Sequence, residues 1–149
     1  PYPSLFRSQE LRGIKKCSID FIDIDKDDFK HCPISHHFTL ETYFRFKLSS
    51  LLPNIDKIIY LDCDMIVLKD LSDLFNTNVD GFYAAMVADA GSKMNSDNQQ
   101  RLQLAEDNPY FNAGLMLINL KKWREKNVEK KLFEWRKKTK KKYCGLIKT

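Results

Sequence analysis

Several features are absent from this 149-residue sequence, and each absence narrows the class of protein. No apolar run approaches the roughly 18 residues of a membrane-spanning helix, and no basic segment followed by an apolar stretch predicts a signal peptide. No internal repeat or low-complexity linker precedes the Lys-rich end. The composition, 43% hydrophobic and 30% charged, predicts one globular domain or part of one.

Paired cysteines are also absent. The four cysteines stand at positions 17, 32, 63 and 144, and no two have CxxC spacing. This pattern argues against a zinc knuckle and a redox pair. We interpret the cysteines as reduced thiols in a cytoplasmic protein.

The net charge of +5 is unevenly distributed. Residues 121–142 contain 12 of the 25 Lys and Arg residues but three of the 20 acidic ones, so they carry +9 and the rest of the chain −4. This basic helix and tail indicates either an anionic partner, such as a membrane surface, or a solvated helix face.

Hydrophobic spacing predicts strands alternating with helices, and hence an α/β domain around a mostly parallel sheet. The predicted strands cover residues 17–23, 57–62, 82–88 and 114–118. The predicted helices cover residues 39–52, 70–75, 96–106 and 121–138, the last with Val128, Leu132 and Trp135 on its core face. The strand at 57–62 is the most apolar, which predicts that both its faces are buried.

Two acids, Asp62 and Asp64, stand at the carboxyl end of that apolar strand. If the chain stays extended through Cys63, both carboxylates project from the same face. Their oxygens suit Mg²⁺ or Mn²⁺, which would neutralise charge on a departing phosphate. An acid-x-acid triplet is also common in solvated turns, so placement at a strand end, where α/β proteins bind ligands, is what favours a site.

Three blocks of sequence together resemble glycosyltransferase family 8. They are HFTLETYFR at 37–45, DKIIYLDCDMIVLKDLSDLF at 56–75 and YFNAGLMLINLKKW at 110–123, in the order in which the family has them. The resemblance implies a GT-A fold, a Rossmann-like mixed sheet flanked by helices, present in part over residues 1–149. It implies a retaining enzyme that moves galactose or glucose from a UDP-sugar to a saccharide or glycolipid acceptor such as lipopolysaccharide. The basic segment 121–142 predicts peripheral contact of this cytoplasmic protein with the inner face of the membrane.

The resemblance also implies roles for particular residues. Asp62 and Asp64 would bind Mn²⁺ or Mg²⁺ and the donor diphosphate. The remaining donor-binding residues would be Arg45, Asn112, Ala113, Gly114, His37 and Tyr43. No catalytic residue can be named, because the acidic/amide motif and the late His of the family are not found in this sequence.

Other interpretations remain open from the sequence. Arg45 also suits an exposed helix position, Asn112 a turn and His37 a structural role. The chain is interpreted as an enzyme, as a catalytically incomplete fragment of one, or as a binder of nucleic acid or another anionic surface through its basic end. No nucleic-acid motif accompanies the lysines, so a nucleic-acid partner is not expected.

Overall fold

The computed structural model describes residues 18–32, 34, 39–89, 100 and 109–143, with side chains as far as residue 138. His37 and the helix predicted at 96–106, apart from Gln100, lie outside the described residues. The chain divides into two compact units, Pro1–His31 and Cys32–Thr149.

The described part of the first unit contains one turn of 3₁₀ helix, Lys26–Phe29, which Asp25 caps by accepting a hydrogen bond from the Asp27 amide at 2.9 Å. The strand predicted at 17–23 is wrong over residues 18–23, which are irregular. The alternating apolar residues are not buried against another element there, because Phe21 and Ile22 are 59% and 47% exposed.

The described part of the second unit contains a 3₁₀ helix, four α-helices and three strands, besides the single helical residue Gln100. In chain order they are the 3₁₀ helix Leu40–Lys47, α1 Leu48–Leu51, β1 Lys57–Leu61, α2 Ser72–Asn76, β2 Ala84–Ala88, β3 Phe111–Asn119, α3 Leu120–Glu125 and α4 Val128–Tyr143. The helix predicted at 121–138 is therefore two helices. They are separated at Asn127, which has a positive φ of 51° that asparagine tolerates better than most residues.

The three described strands form a sheet in the order β1-β3-β2, and both pairings are antiparallel. The prediction of a mostly parallel sheet is wrong for these strands. β1 and β2 do run in the same direction, as two strands joined through a helix should, but β3 lies between them in the opposite direction. β1 is half-buried, not buried on both faces, whereas β3 contains the consecutive buried residues Met116, Leu117 and Ile118.

A bulge interrupts the pairing of β2 with β3. Met86 pairs with Met116, but the next residue, Val87, pairs with Asn112, so residues 113–115 have no partner in β2. Beyond the bulge the ladder continues, and the Asp89 amide donates to the Tyr110 carbonyl at 2.8 Å. Bulges bend a strand and redirect its side chains, and this one lies beside the end of β1.

The hydrophobic core lies between one face of the sheet and the helices. Its buried residues are Met116, Ile118, Leu120 and Trp123, and it is surrounded by partly buried apolar residues, including Val128 and Leu132 of α4. Trp135, predicted on the same helix face, is instead 52% exposed. In the described part of the chain, no helix combines the length and hydrophobicity needed to cross a membrane.

Candidate functional site

Polar groups from three separate segments meet at the carboxyl end of β1. Asp62 follows β1 directly, and its amide donates to the Gly114 carbonyl of β3 at 2.9 Å. Because β3 is antiparallel to β1, its amino end adjoins the carboxyl end of β1, which brings Asn112 to the same edge. Arg45 reaches this edge from the 3₁₀ helix.

Arg45 binds three oxygens at this edge. Its Nε donates to the Thr42 carbonyl at 3.0 Å, its Nη1 to the Ala113 carbonyl at 2.7 Å and its Nη2 to Asp62 Oδ1 at 3.2 Å. The Ala113 carbonyl lies within the bulge of β3. The Arg45 side chain is 15% exposed and that of Asp62 is 37% exposed, so the ion pair is partly shielded from water.

Tyr60 also lies at this edge, although its place in the sequence predicts a strand residue only. Its hydroxyl donates to Asp62 Oδ1 at 2.8 Å, and the Arg45 guanidinium carbon lies 4.7 Å from the centre of its ring. Burial, followed by the hydrogen bond to Asp62, raises the pKa of Tyr60 above its usual value. The sequence contains a signal for this contact, because Tyr60 and Asp62 are two residues apart and such residues in a strand project from the same face.

The chain turns after Asp62. The Met65 amide donates to the Asp62 carbonyl at 3.2 Å, which is the hydrogen bond of a four-residue turn with Cys63 and Asp64 at its centre. The condition of an extended chain through Cys63 is therefore not met, and the position of the second carboxylate is determined by the turn instead of by the strand pleat. Cys63 and Asp64 are both exposed.

Gly114 allows Asp62 and Asn112 to approach the β3 backbone. A Cβ atom at residue 114 would lie 3.1 Å from Asp62 Oδ2 and 3.1 Å from Asn112 Oδ1, closer than an ordinary contact. Asn112 Oδ1 also accepts a hydrogen bond from the Gly114 amide at 2.7 Å. With Oδ1 so engaged, the Nδ2 group is the donor that Asn112 can offer to a ligand.

Tyr43 faces the C-terminal helix. It is 5% exposed, its hydroxyl accepts a hydrogen bond from Arg136 Nε at 3.1 Å, and its ring packs edge-on against Phe46. Phe46 in turn packs edge-on against Phe133 of α4. These contacts hold the 3₁₀ helix that carries Arg45 against α4, and in this way Tyr43 stabilises the position of Arg45.

Asp62 and Asp64 can contribute to a site for a divalent cation but do not complete one. Asp64 makes no hydrogen bond or ion pair with the described residues, and within those residues no group of three His, Cys, Asp or Glu side chains could hold a metal. Mg²⁺ commonly binds through one or two carboxylates together with water and substrate phosphates. Two neighbouring carboxylates therefore fit a cation that is shared with a phosphorylated ligand.

Comparison with known proteins identifies the family of the chain. The model of the family described as glycosyl transferase family 8 matches residues 5–147. The chain belongs to glycosyltransferase family 8. The predicted family is thereby confirmed.

A solved glycosyltransferase structure also resembles the chain. The galactosyltransferase LgtC, in complex with donor and acceptor sugar analogues, superposes with a TM-score of 0.74 and 34% identity, over 82% of this chain and 44% of that one. This similarity confirms the predicted GT-A type α/β fold, of which the chain contains a part.

Two sequence relatives act on lipopolysaccharide. The lipopolysaccharide 1,2-glucosyltransferase of Escherichia coli is 30% identical over 113 residues, or 74% of this chain and 33% of that protein. The lipopolysaccharide 1,3-galactosyltransferase of Salmonella typhimurium is 31% identical over 116 residues, or 74% of this chain and 34% of that protein. The chain thus spans about a third of the length of these relatives.

Proposed function

We propose that the edge of the sheet around Asp62 binds the diphosphate and sugar of a UDP-hexose, and that the protein transfers the hexose to a saccharide acceptor with retention at the anomeric carbon. The observation that carries this proposal is the convergence of Arg45, Asp62 and Asn112. They lie far apart in the sequence and meet through side-chain and backbone hydrogen bonds at one exposed edge.

The chain supplies a positive charge, a carboxylate pair and an amide at this edge. Arg45 is held by two backbone carbonyls and so presents its charge without reorganising, which favours a negatively charged diphosphate. The Nδ2 group of Asn112 is suited to donate to a sugar hydroxyl. Gly114 leaves room for the side chains of Asp62 and Asn112 to lie close to the backbone of β3, which brings these two groups together.

Asp62 and Asp64 are the residues that would hold Mn²⁺ or Mg²⁺. When bound, such an ion neutralises charge on the diphosphate as it leaves the sugar. The exposed turn that carries Asp64 leaves its carboxylate accessible to an ion that also binds phosphate oxygens. We assign donor binding to the described residues and the transfer reaction to the protein as a whole.

The proposed donor and acceptor classes follow from the relatives. The two enzymes of lipopolysaccharide synthesis transfer glucose and galactose, and LgtC is a galactosyltransferase. We therefore propose UDP-glucose or UDP-galactose as donor and a surface glycan or glycolipid as acceptor. The second interpretation, a fragment that keeps the fold without turnover, shares the donor-binding step and differs in the transfer step alone.

Calorimetric titration of UDP into this chain, with and without Mn²⁺, tests the proposal. We expect Mn²⁺ to tighten UDP binding, and Asp62→Ala combined with Asp64→Ala to remove that gain, because the double variant loses both carboxylate ligands. Asp73→Ala combined with Asp80→Ala is the matched control. It removes the same charge from two exposed residues outside the site.

Two results would contradict the proposal. One is a folded wild-type chain that binds no UDP at millimolar concentration in the presence of Mn²⁺. The other is equal loss of binding in the two double variants, which would mean that overall charge, and not the site, governs affinity. Retention of the Mn²⁺-dependent gain by the control alone supports the site.

We also propose that α4 contacts an anionic membrane surface where acceptor lipids lie. Lys137 and Lys138 are exposed on α4, and the half-exposed Trp135 adjoins them. Basic residues with an aromatic side chain suit the interface of an anionic bilayer. The chain should sediment with phosphatidylglycerol vesicles and not with phosphatidylcholine vesicles, and added salt should weaken binding. Equal sedimentation with both would contradict a charge-based contact.

A further inference from the structure

The strand residue Tyr60 contacts both charged groups of the proposed donor site. Its hydroxyl donates to Asp62 Oδ1 at 2.8 Å, and its ring lies 4.7 Å from the Arg45 guanidinium carbon. The same carboxylate oxygen accepts from Arg45 Nη2 at 3.2 Å. Tyr60, Asp62 and Arg45 thus form a closed set of mutual contacts.

The Tyr60 side chain is anchored at its other end. It is partly buried and packs against the core cluster that contains Met116 and Ile118. Its position in β1 is fixed by pairing with Met116 in β3. The ring packing and the strand pairing therefore fix the position of the hydroxyl beside the Asp62 carboxylate.

Asp62 needs this support because its carboxylate is at a partly exposed edge. The backbone of Asp62 is fixed by the hydrogen bond to Gly114, but rotation of its side chain is not. Two donors on Oδ1 restrict that rotation and leave Oδ2 on the side of Gly114 and Asn112. Hydrogen bonds to a metal-binding carboxylate commonly set its orientation and the affinity of the ion.

We propose that Tyr60 is a positioning residue that orients the Asp62 carboxylate for the cation and diphosphate of the donor, and that it acts through Asp62 without touching the donor. This inference rests on the proposed function. It assigns to the hydroxyl of Tyr60 a role separate from that of its ring, which packs on Arg45 and on the core.

The variant Tyr60→Phe tests the inference because it removes the hydroxyl and keeps the ring. UDP affinity is measured with and without Mn²⁺, and Mn²⁺ binding is followed separately by electron paramagnetic resonance of the free ion. We expect Mn²⁺ affinity, and the Mn²⁺-dependent gain in UDP affinity, to fall about 10- to 100-fold. UDP affinity without Mn²⁺ should change less than twofold, whereas general loosening of the fold would lower both affinities.

Tyr83→Phe is the matched control. The Tyr83 hydroxyl makes no hydrogen bond with the described residues, and its ring likewise lies near a cation, Lys122, at 5.7 Å. Tyr83→Phe should leave every measured affinity unchanged. Thermal unfolding of both variants, followed by circular dichroism, checks that they are folded.

The outcomes separate the two proposals. If wild type shows the Mn²⁺-dependent gain and Tyr60→Phe keeps it within twofold, the positioning role is wrong and the proposed function stands. If wild type shows no gain, the proposed function fails and the positioning role fails with it. An equal loss with and without Mn²⁺ in Tyr60→Phe also overturns the positioning role, because it indicates a general structural effect.

Discussion

Each end of β1 is held by an arginine, and the two arginines have different partners of the same kinds. Asp56 precedes the strand and pairs with Arg124, and Asp62 follows it and pairs with Arg45. Each arginine also donates to two backbone carbonyls, those of Leu52 and Ile55 for Arg124 and those of Thr42 and Ala113 for Arg45. The hydrogen-bond partners of an arginine therefore do not by themselves distinguish a structural role from a binding role.

The surroundings of the two pairs distinguish them. Asp56 lies beside α3. Its carbonyl accepts a hydrogen bond from the Lys121 amide in the first turn of that helix, at 3.1 Å. Beside Asp62 lie an exposed turn with a second carboxylate and the bulge of β3. One pair connects elements of the fold, whereas the other lies beside the carboxylate of Asp64, which has no hydrogen-bond or ion-pair partner among the described residues.

The largest effect expected from this comparison is on ligand binding. Arg45→Gln removes a positive charge beside the proposed diphosphate, and charge-assisted hydrogen bonds contribute about 1.5–3 kcal/mol. UDP affinity measured at saturating Mn²⁺ should therefore fall roughly 10- to 100-fold. The matched variant Arg124→Gln, when folded, should bind UDP as wild type does. Equal affinity in the two variants would remove the distinction between the two ends of β1.

A smaller effect, on stability, should show the opposite order. Arg124→Gln leaves the carbonyls of Leu52 and Ile55 without their donor, and we expect a loss of about 1–2 kcal/mol in the free energy of unfolding by urea. The exposed carboxylate of Asp56, 70% accessible, adds little to this loss. Arg45→Gln should cost less, because the hydrogen bond from Arg45 to the Thr42 carbonyl spans three residues, whereas both backbone bonds of Arg124 join distant parts of the chain. A greater loss in Arg45→Gln would show that the site end also stabilises the fold.

The sequence predicted most elements of the fold but not how the strands pair. Apolar runs and a following Pro53 were enough to locate β1 and the end of α1, since these signals are local. The antiparallel insertion of β3 depends on contacts across more than fifty residues, which spacing does not encode. The strand predicted at 17–23 failed for a related reason, because alternation shows that a strand has two different faces and not that anything covers one of them.

The site was predicted in part by residue type and in part by resemblance. Placement after an apolar strand identified Asp62, whereas Arg45 and Asn112 were identified by the family blocks. Asn112 precedes its predicted strand, whereas Asp62 ends its own. If the two strands were parallel, these residues would lie at opposite ends of the sheet, so the predicted topology does not bring them together. Tyr60 was missed because an aromatic residue in a strand has an adequate explanation as core, and its hydroxyl was not considered.

The hydrogen bond between the Asp89 amide and the Tyr110 carbonyl has a consequence for how proteins of this kind diverge. This bond joins the two residues that flank the segment 90–109, next to the bulge of β3. Insertions or deletions within that segment can therefore accumulate without displacing β3. Changes in the length of that segment are in this way uncoupled from the residues that would bind the donor.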